Sequence, residues 1–317
     1  MMMARCCTQL LEQSGWQSRR LDSMSLLGPR GAAAGTVVFN RLLTIPGLYD
    51  ALHFAHLRTG SRLANRIDHA STTRLVPALR AELPGLRTIV LCTDVAVHRI
   101  WVTEGTDLFL VTSDAAAESV RRYRPRAPVA VVPPPVRPEF YTAPSQEQAR
   151  RSLNIPAGDF CVLVIDSGWG FGPVVMAISA LAEAGVHVLA VAGRNGANER
   201  RLRQLAAGTP RITPFGFTDR VPELMAAADV VVALPGANTR AEVRVVGRHL
   251  LLLDVMPGHG RDNLLHELEL GRAHTCVPTP AGVTASVLAL RDAGIRPAAS
   301  PAPRWEPAYL AALQEFL

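Results

Sequence analysis

The chain has 317 residues, 48% hydrophobic and 19% charged, enough apolar surface for a real core and too little net polarity for a disordered polymer. That length fits about two domains of ordinary size, and the 5% aromatic content argues against a base-stacking nucleic-acid binder, so no nucleic-acid partner is expected. The formal charge is +6 with all 33 basic residues arginine, a pattern of codon usage more than of a basic docking face, though weak attraction to anionic phosphates or membranes goes with it.

In chain order, Met1 to Trp16 reads as a helix with Leu10 and Leu11 on one face and Gly15 as its stop. Polar residues arrive too early there for a signal peptide. Gly35–Ala64 is apolar, with Arg41, Arg58, Arg62 and the nearby Arg66 interspersed. It suits ordinary amphipathic packing or transient contact with anionic lipid. Strands are predicted at Leu86–Cys92, Asp107–Thr112, Pro128–Val132, Phe160–Ile165, Val186–Ala192, Asp229–Leu234 and His249–Asp254. They lack polar alternation, as strands do when a parallel sheet buries both their faces. Helices are predicted at Asp114–Arg122, Pro173–Ala184, Asn198–Ala206, Pro222–Ala228, Thr239–Val246 and Arg261–Leu270. The alternation defines an α/β class with doubly wound parallel sheets.

The run Pro133-Pro134-Pro135 closes one series and Phe160 opens another. Two Rossmann-like domains are expected, residues 1–141 and 157–300, with a linker at 142–156 and a terminal helix at 301–317. A ligand cleft is expected between them, at the carboxyl ends of the strands. The five cysteines, Cys6, Cys7, Cys92, Cys161 and Cys276, form no CxxC pair, so neither a zinc site nor a disulfide framework is expected. Free thiols in a reducing cytoplasm fit better. No apolar run reaches the length of a membrane span.

Four stretches carry candidate chemistry. Asp166–Gly172 follows a strand and contains Gly168, Trp169, Gly170 and Gly172. It is either a simple tight turn or a loop whose N–H groups approach a phosphate. Gly236, Ala237, Asn238 and Thr239 lie between a strand and a helix, the same geometry. Glu242 lies one turn in, where it either accepts from ribose hydroxyls or complements the helix dipole. The loop Asp254–Asn263 carries His259 and Asn263, as sugar readers or as solvated loop residues. Asp94 and His98 sit past a strand end, as a base with its orienting partner or as a structural pair.

Several segments, in order, resemble a known family. They are Cys92–Trp101, Asp107–Ser113, Pro135-Val-Arg-Pro-Glu-Phe140, Gly168–Pro173, Ala192-Gly-Arg-Asn195, Phe215–Asp219, Pro222–Asp229 and Pro235–Glu242. They look like the lipid-directed glycosyltransferases of the galactosyldiacylglycerol synthase group, relatives of the peptidoglycan N-acetylglucosaminyltransferase. The resemblance runs from about Cys6 to Ala273. It implies a GT-B architecture, a UDP-sugar donor, a lipid or small-molecule acceptor, inversion at the anomeric carbon, and no metal or cofactor. It also implies a cytoplasmic protein in peripheral contact with the inner face of the membrane. Phe217 and Thr218 would sit against the uracil, Glu242 on the ribose, and Gly236 to Thr239 on the diphosphate. Asn263, with His259 in the same loop, would face the donor sugar. Arg194, Asn195 and the Gly168–Gly172 loop complete the nucleotide-sugar set, and His98 and Asp94 lie on the acceptor side.

Three departures accompany the resemblance. The family's opening strand and Gly-Gly-His loop have no counterpart, and a strand–helix unit before Arg87 is missing, so a reduced amino-terminal domain is expected. The sugar loop, Pro-Gly-Gln-Glu-x-x-Asn in the family, is Pro257-Gly258-His259-Gly260-Arg261-Asp262-Asn263 here, and the Gly before the family's Ile-Pro-Val is Pro133. The first expectation is a working sugar transferase. The alternative is an impaired glycosyltransferase-like protein that binds nucleotide, or a partner subunit at the unpaired edge a reduced domain would leave. A sugar-nucleotide epimerase would need acid and base carboxylates that the sequence does not place.

Overall fold

The computed structural model describes residues 2–18, 85, 87–165, 174–256, 258–295 and 302–316. The chain forms two compact units. One takes Met1–Pro135, Pro257–Asn263 and Arg304–Leu317, the other Val136–Met256 and Leu264–Pro303.

The second unit is built on a six-stranded, all-parallel sheet. Its strands are β4 (Cys161–Ile165), β5 (His187–Val191), β6 (Ile212–Phe215), β7 (Val230–Ala233), β8 (His249–Leu253) and β9 (His274–Cys276), in the order β6-β5-β4-β7-β8-β9. This is the doubly wound dinucleotide-fold order, with its switch point between β4 and β7. Alternate residues face opposite layers. Val162, Val164, Val188, Ala190, Val230 and Val232 share one core with Ile178, Leu181, Val283 and Val287. Cys161, Leu163, Leu189, Val191, Val231 and Leu252 share the other with Leu224, Met225, Ala241 and Val243. Both faces are covered, which is why these strands read as unbroken apolar runs.

The first layer's helices are α5 (Val174–Glu183), α6 (Gly196–Ala206) and α10 (Pro280–Asp292). The second layer's include α4 (Gln146–Ser152), α7 (Val221–Ala227) and α8 (Ala237–Val246). The α9 helix (His259–Glu269) contributes Leu264 to this core. A short helix, α3 (Pro138–Tyr141), inserts Phe140, which with Val136 is buried in the same core. The unit boundary therefore falls at Pro135–Val136, ahead of the expected residue 141. The stretch expected as linker holds α4, started by a Ser145–Gln148 capping box.

Arg150 ties that helix down. Its Nε donates to the Ala227 carbonyl at 2.9 Å and its Nη2 to Asp229 Oδ2 at 2.7 Å. The same carboxylate oxygen accepts from the Cys161 N–H at 2.8 Å, at the start of the central strand.

The first unit has a three-stranded parallel sheet in the order β1 (Ile89–Cys92), β2 (Leu108–Val111), β3 (Val129–Val131). All four residues of β2 are buried. Phe109 and Val111 pack with Val97, Val102 and the inner face of α2 (Asp114–Tyr123), which presents Ala116, Ala117 and Val120. Ser113 caps α2 by accepting from the Ala116 N–H. Helices α1 (Met2–Gln13) and α11 (Glu306–Phe316) belong to this unit. The Trp305 and Tyr309 rings meet edge to face at 5.4 Å. The terminal helix expected as a separate segment is thus part of the first unit.

Each predicted strand is present, shortened by one to three residues. The unpredicted β6 contains Pro214 and the unpredicted β9 is short and half-exposed. Both are edge strands of the six-stranded sheet among the described residues. Proline removes a ladder donor and is tolerated at an edge, so the pattern that hides β6 is itself a consequence of its position. The apolar stretch at residues 35–64 lies outside the described residues, as do most of the positions bearing on a reduced amino-terminal domain.

Candidate functional site

In the second unit the switch point sets the site. The loop after β4, with Gly168, Trp169, Gly170 and Gly172, lies outside the described residues. The loop after β7 is described in full. Pro235 is buried, and Gly236 is the N-cap of α8 with φ −74° and ψ 143° and no side-chain cap. The N–H groups of Ala237, Asn238 and Thr239 therefore begin the helix with no side chain of the N-cap to receive them. Neither backbone angle requires glycine at 236, and a Cβ there would meet nothing within 4 Å. The space beside it is open, at a helix N-terminus, the place where an anionic group binds best.

Glu242 lies one turn further along α8 and is buried. Its nearest cation is Arg137 of the second unit, with Nη2 at 3.7 Å from Oε1. That is too long for a good hydrogen bond, and the Arg137 guanidinium also stacks 4.8 Å from the Phe140 ring centroid. Burial raises the Glu242 carboxyl to about 7, with Arg137 offsetting part of the effect. On its other side α8 is fixed by Glu267 of α9, whose carboxylate accepts from Arg240 at 2.7 Å and from Arg244 at 2.9 and 3.0 Å.

Arg194 and Phe217, separate in sequence, come together: the guanidinium lies 4.6 Å from the ring centroid, and Phe217 is 63% exposed. An exposed ring backed by a cation offers a flat face to a planar ligand. The Thr218 hydroxyl accepts from the Arg220 N–H at 3.1 Å, and Asn195 caps α6 by accepting from the Asn198 N–H at 3.1 Å.

The first unit gathers Asp94, His98, His259 and Asn263. Asn263 is fully buried. Its Oδ1 accepts from the Val95 N–H at 3.1 Å and its Nδ2 donates to Asp94 Oδ1 at 2.8 Å. The expected reader of the donor sugar is instead held by the backbone and carboxylate of the Asp94 segment. His98 is buried, and its ring centroid is 6.3 Å from that of His259. Among the described residues no set of three His, Cys, Asp or Glu is placed to hold a metal ion. All five cysteines are free, and burial pushes the Cys92 and Cys161 thiols up to about 12. No described helix is long and apolar enough to cross a membrane.

Two of these residues were not singled out from sequence. Arg137 sits inside the Pro135–Phe140 motif, and Glu267 lies about one turn past the sugar loop. Only the arginine carried a signal, its place beside a proline-flanked motif.

A parallel sheet in doubly wound order, with a helix N-terminus at its switch point, defines the second unit as a Rossmann-like α/β domain. Its sequence is more particular: residues 173–274 match the glycosyltransferase family 28 C-terminal domain. Curated relatives agree. A processive diacylglycerol beta-glucosyltransferase of Bacillus pumilus is 23% identical over 180 residues, 56% of this chain and 47% of its own length. Monogalactosyldiacylglycerol synthase 1 of Arabidopsis thaliana, a chloroplastic protein, is 29% identical over 147 residues, 43% of this chain and 27% of its own. The chain thus spans about half the length of the Bacillus relatives it matches, and less of the plant one. Among solved structures, MurG of Acinetobacter baumannii is similar over 75% of this chain and 65% of its own, at 14% identity and a TM-score of 0.49.

Proposed function

We propose that this chain is a glycosyltransferase that moves a sugar from a UDP-sugar to a lipid or small-molecule acceptor, with inversion and without a catalytic metal. The observation that carries the reading is the turn after β7: an uncapped helix N-terminus opened by Gly236, with the buried Glu242 one turn behind it. The family 28 domain match over residues 173–274 supports the reading. So do the names of the relatives, which act on diacylglycerol or make galactosyldiacylglycerol.

The chemistry divides between the units. In the second, the N–H groups of residues 237–239 and the α8 dipole stabilise the charge that grows on the departing UDP, a task a preorganised helix end performs without a cation. Glu242 accepts from the ribose diol, and the Arg194-backed Phe217 ring, with Thr218, takes the uracil. In the first, His98 takes the proton of the acceptor hydroxyl and Asp94 orients that segment. The acceptor oxygen bonds to the anomeric carbon as the bond to the UDP oxygen breaks, which inverts the centre. A lipid acceptor would bring the protein to a membrane surface from the cytoplasmic side.

Calorimetric titration with UDP tests the nucleotide half. Glu242→Ala should weaken binding at least tenfold, and equal affinity refutes the ribose role. Turnover with UDP-glucose and UDP-galactose, with diacylglycerol in mixed micelles, tests the transfer. A second reading, a nucleotide-binding protein without turnover, is favoured by one observation: the sugar loop's Asn263 is held by Asp94 and Val95, with Gly260 offering no side chain. UDP affinity with no transfer to any acceptor would establish that reading.

A further inference from the structure

The segment from Thr93 to His98 has no regular secondary structure, yet it carries the candidate base. Its shape must come from side chains that reach it. Thr112 Oγ1 donates to the Thr93 carbonyl at 3.4 Å, a weak bond. The Ser119 hydroxyl, from α2, accepts from the Val97 N–H at 3.0 Å and donates to the Val97 carbonyl at 3.1 Å. Between these two points stands Asn263, fully buried and 168 residues away in sequence from Val95, which it bonds.

The pairing specifies an amide. One neighbour, the Val95 N–H, needs an acceptor, and the other, the Asp94 carboxylate, needs a donor. A carboxamide supplies both from one planar group. A flipped amide would set N–H against N–H and oxygen against oxygen, so the orientation follows from the partners. An aspartate would set a second carboxylate against that of Asp94, like charge against like charge. An alanine would leave both half-buried groups without this partner.

We infer that Asn263 is a positioning residue: its amide clamps the Asp94–Val95 backbone and carboxylate, and so fixes where the Asp94–His98 segment presents His98. The inference rests on the transferase reading for its catalytic consequence, and on the two hydrogen bonds for its structural part. It departs from the expectation that Asn263 touches the donor sugar. Such a clamp acts on the acceptor step and leaves the nucleotide site of the second unit as it was. It also leaves recognition of the sugar to other residues, His259 among them.

The test uses the full chain with Asn263→Ala and Asn263→Asp, read in three ways. In Asn263→Ala the Val95 amide should exchange with deuterium at least tenfold faster, and the His98 imidazole resonances should shift. Turnover should fall on the order of a hundredfold, the scale of a small misplacement of a reacting group. The UDP dissociation constant should stay within twofold and KM for the donor should barely move. Asn263→Asp, which sets a second carboxylate against Asp94, should lose turnover along with Asn263→Ala. Unchanged Val95 exchange and His98 resonances refute the clamp. A clamp lost with turnover intact refutes the positioning role, and a raised donor KM with kcat unchanged restores the sugar-reading role. If the unmodified protein transfers nothing, the transferase reading falls, and Val95 exchange with the His98 resonances still decides the clamp.

Discussion

Glu242→Gln should stabilise the protein, and only above a defined pH. The carboxyl is buried on α8, and its nearest cation, at 3.7 Å, is too distant to repay the lost hydration. Burial raises it from an ordinary 4.5 to about 7. A carboxyl raised in the folded state costs nothing below its unfolded value. The cost grows as pH climbs from about 4.5 to about 7 and is constant above. At about 1.4 kcal/mol per pH unit the full cost is about 3 kcal/mol. The neutral glutamine keeps the shape and removes the charge. Urea denaturation followed by circular dichroism should give matching midpoints for the two proteins at pH 4.5. At pH 8 the variant's midpoint should lie roughly 1 M higher, for a slope near 3 kcal/mol per molar urea. A gain independent of pH, or a loss at pH 8, would refute the account of Glu242 as a desolvated carboxylate waiting for donors.

Other expected outcomes follow from the same geometry. UDP affinity should rise with pH between about 5 and 7, as Glu242 ionises to accept from the ribose, with proton release seen as a buffer-dependent calorimetric heat; a flat profile contradicts this. Arg150→Ala leaves the Asp229 carboxylate without its arginine and should cost about 3–5 kcal/mol by urea denaturation. Glu267→Ala removes the buried carboxylate that Arg240 and Arg244 share and should cost about 3 kcal/mol, with weaker UDP binding because α8 loses that support. Thr279→Ala removes the cap that accepts from Gly282 N–H and should cost about 1 kcal/mol.

What could be read from sequence was what short-range pattern determines. The apolar runs Cys161–Ile165 and Val230–Ala233 declare strands covered on both faces, because no polar residue interrupts them. The Gly236 turn declares itself by small residues between a strand and a helix. Edge strands hide: Pro214 masks β6, and His274–Cys276 is too brief and polar to show. Helix α4 was legible in principle, since Ser145 and Gln148 spell its capping box. Long-range pairing is another matter. No local pattern tells that Asn263 is buried against Asp94, that Arg194 stacks on Phe217, or that Arg137 approaches Glu242. Each pair joins segments that only the folded backbone brings together. The family resemblance named Asp94 and Asn263 separately, on the acceptor side and in the sugar loop, and gave no sign that the two hydrogen-bond each other.

The proline in β6 has a consequence for behaviour at high concentration. Arg211 and Phe215 present their carbonyls to β5, so the odd-numbered residues of this segment face inward and Pro214 faces out. Its ring occupies the free side of the strand, where an N–H would otherwise invite a neighbouring chain to add itself. A six-stranded sheet with so many valines and leucines is the kind of surface that templates intermolecular β-pairing, and this margin carries a built-in terminator. The other margin, β9, is protected by brevity. The six-stranded sheet thereby ends at each margin in a strand ill-suited to further pairing.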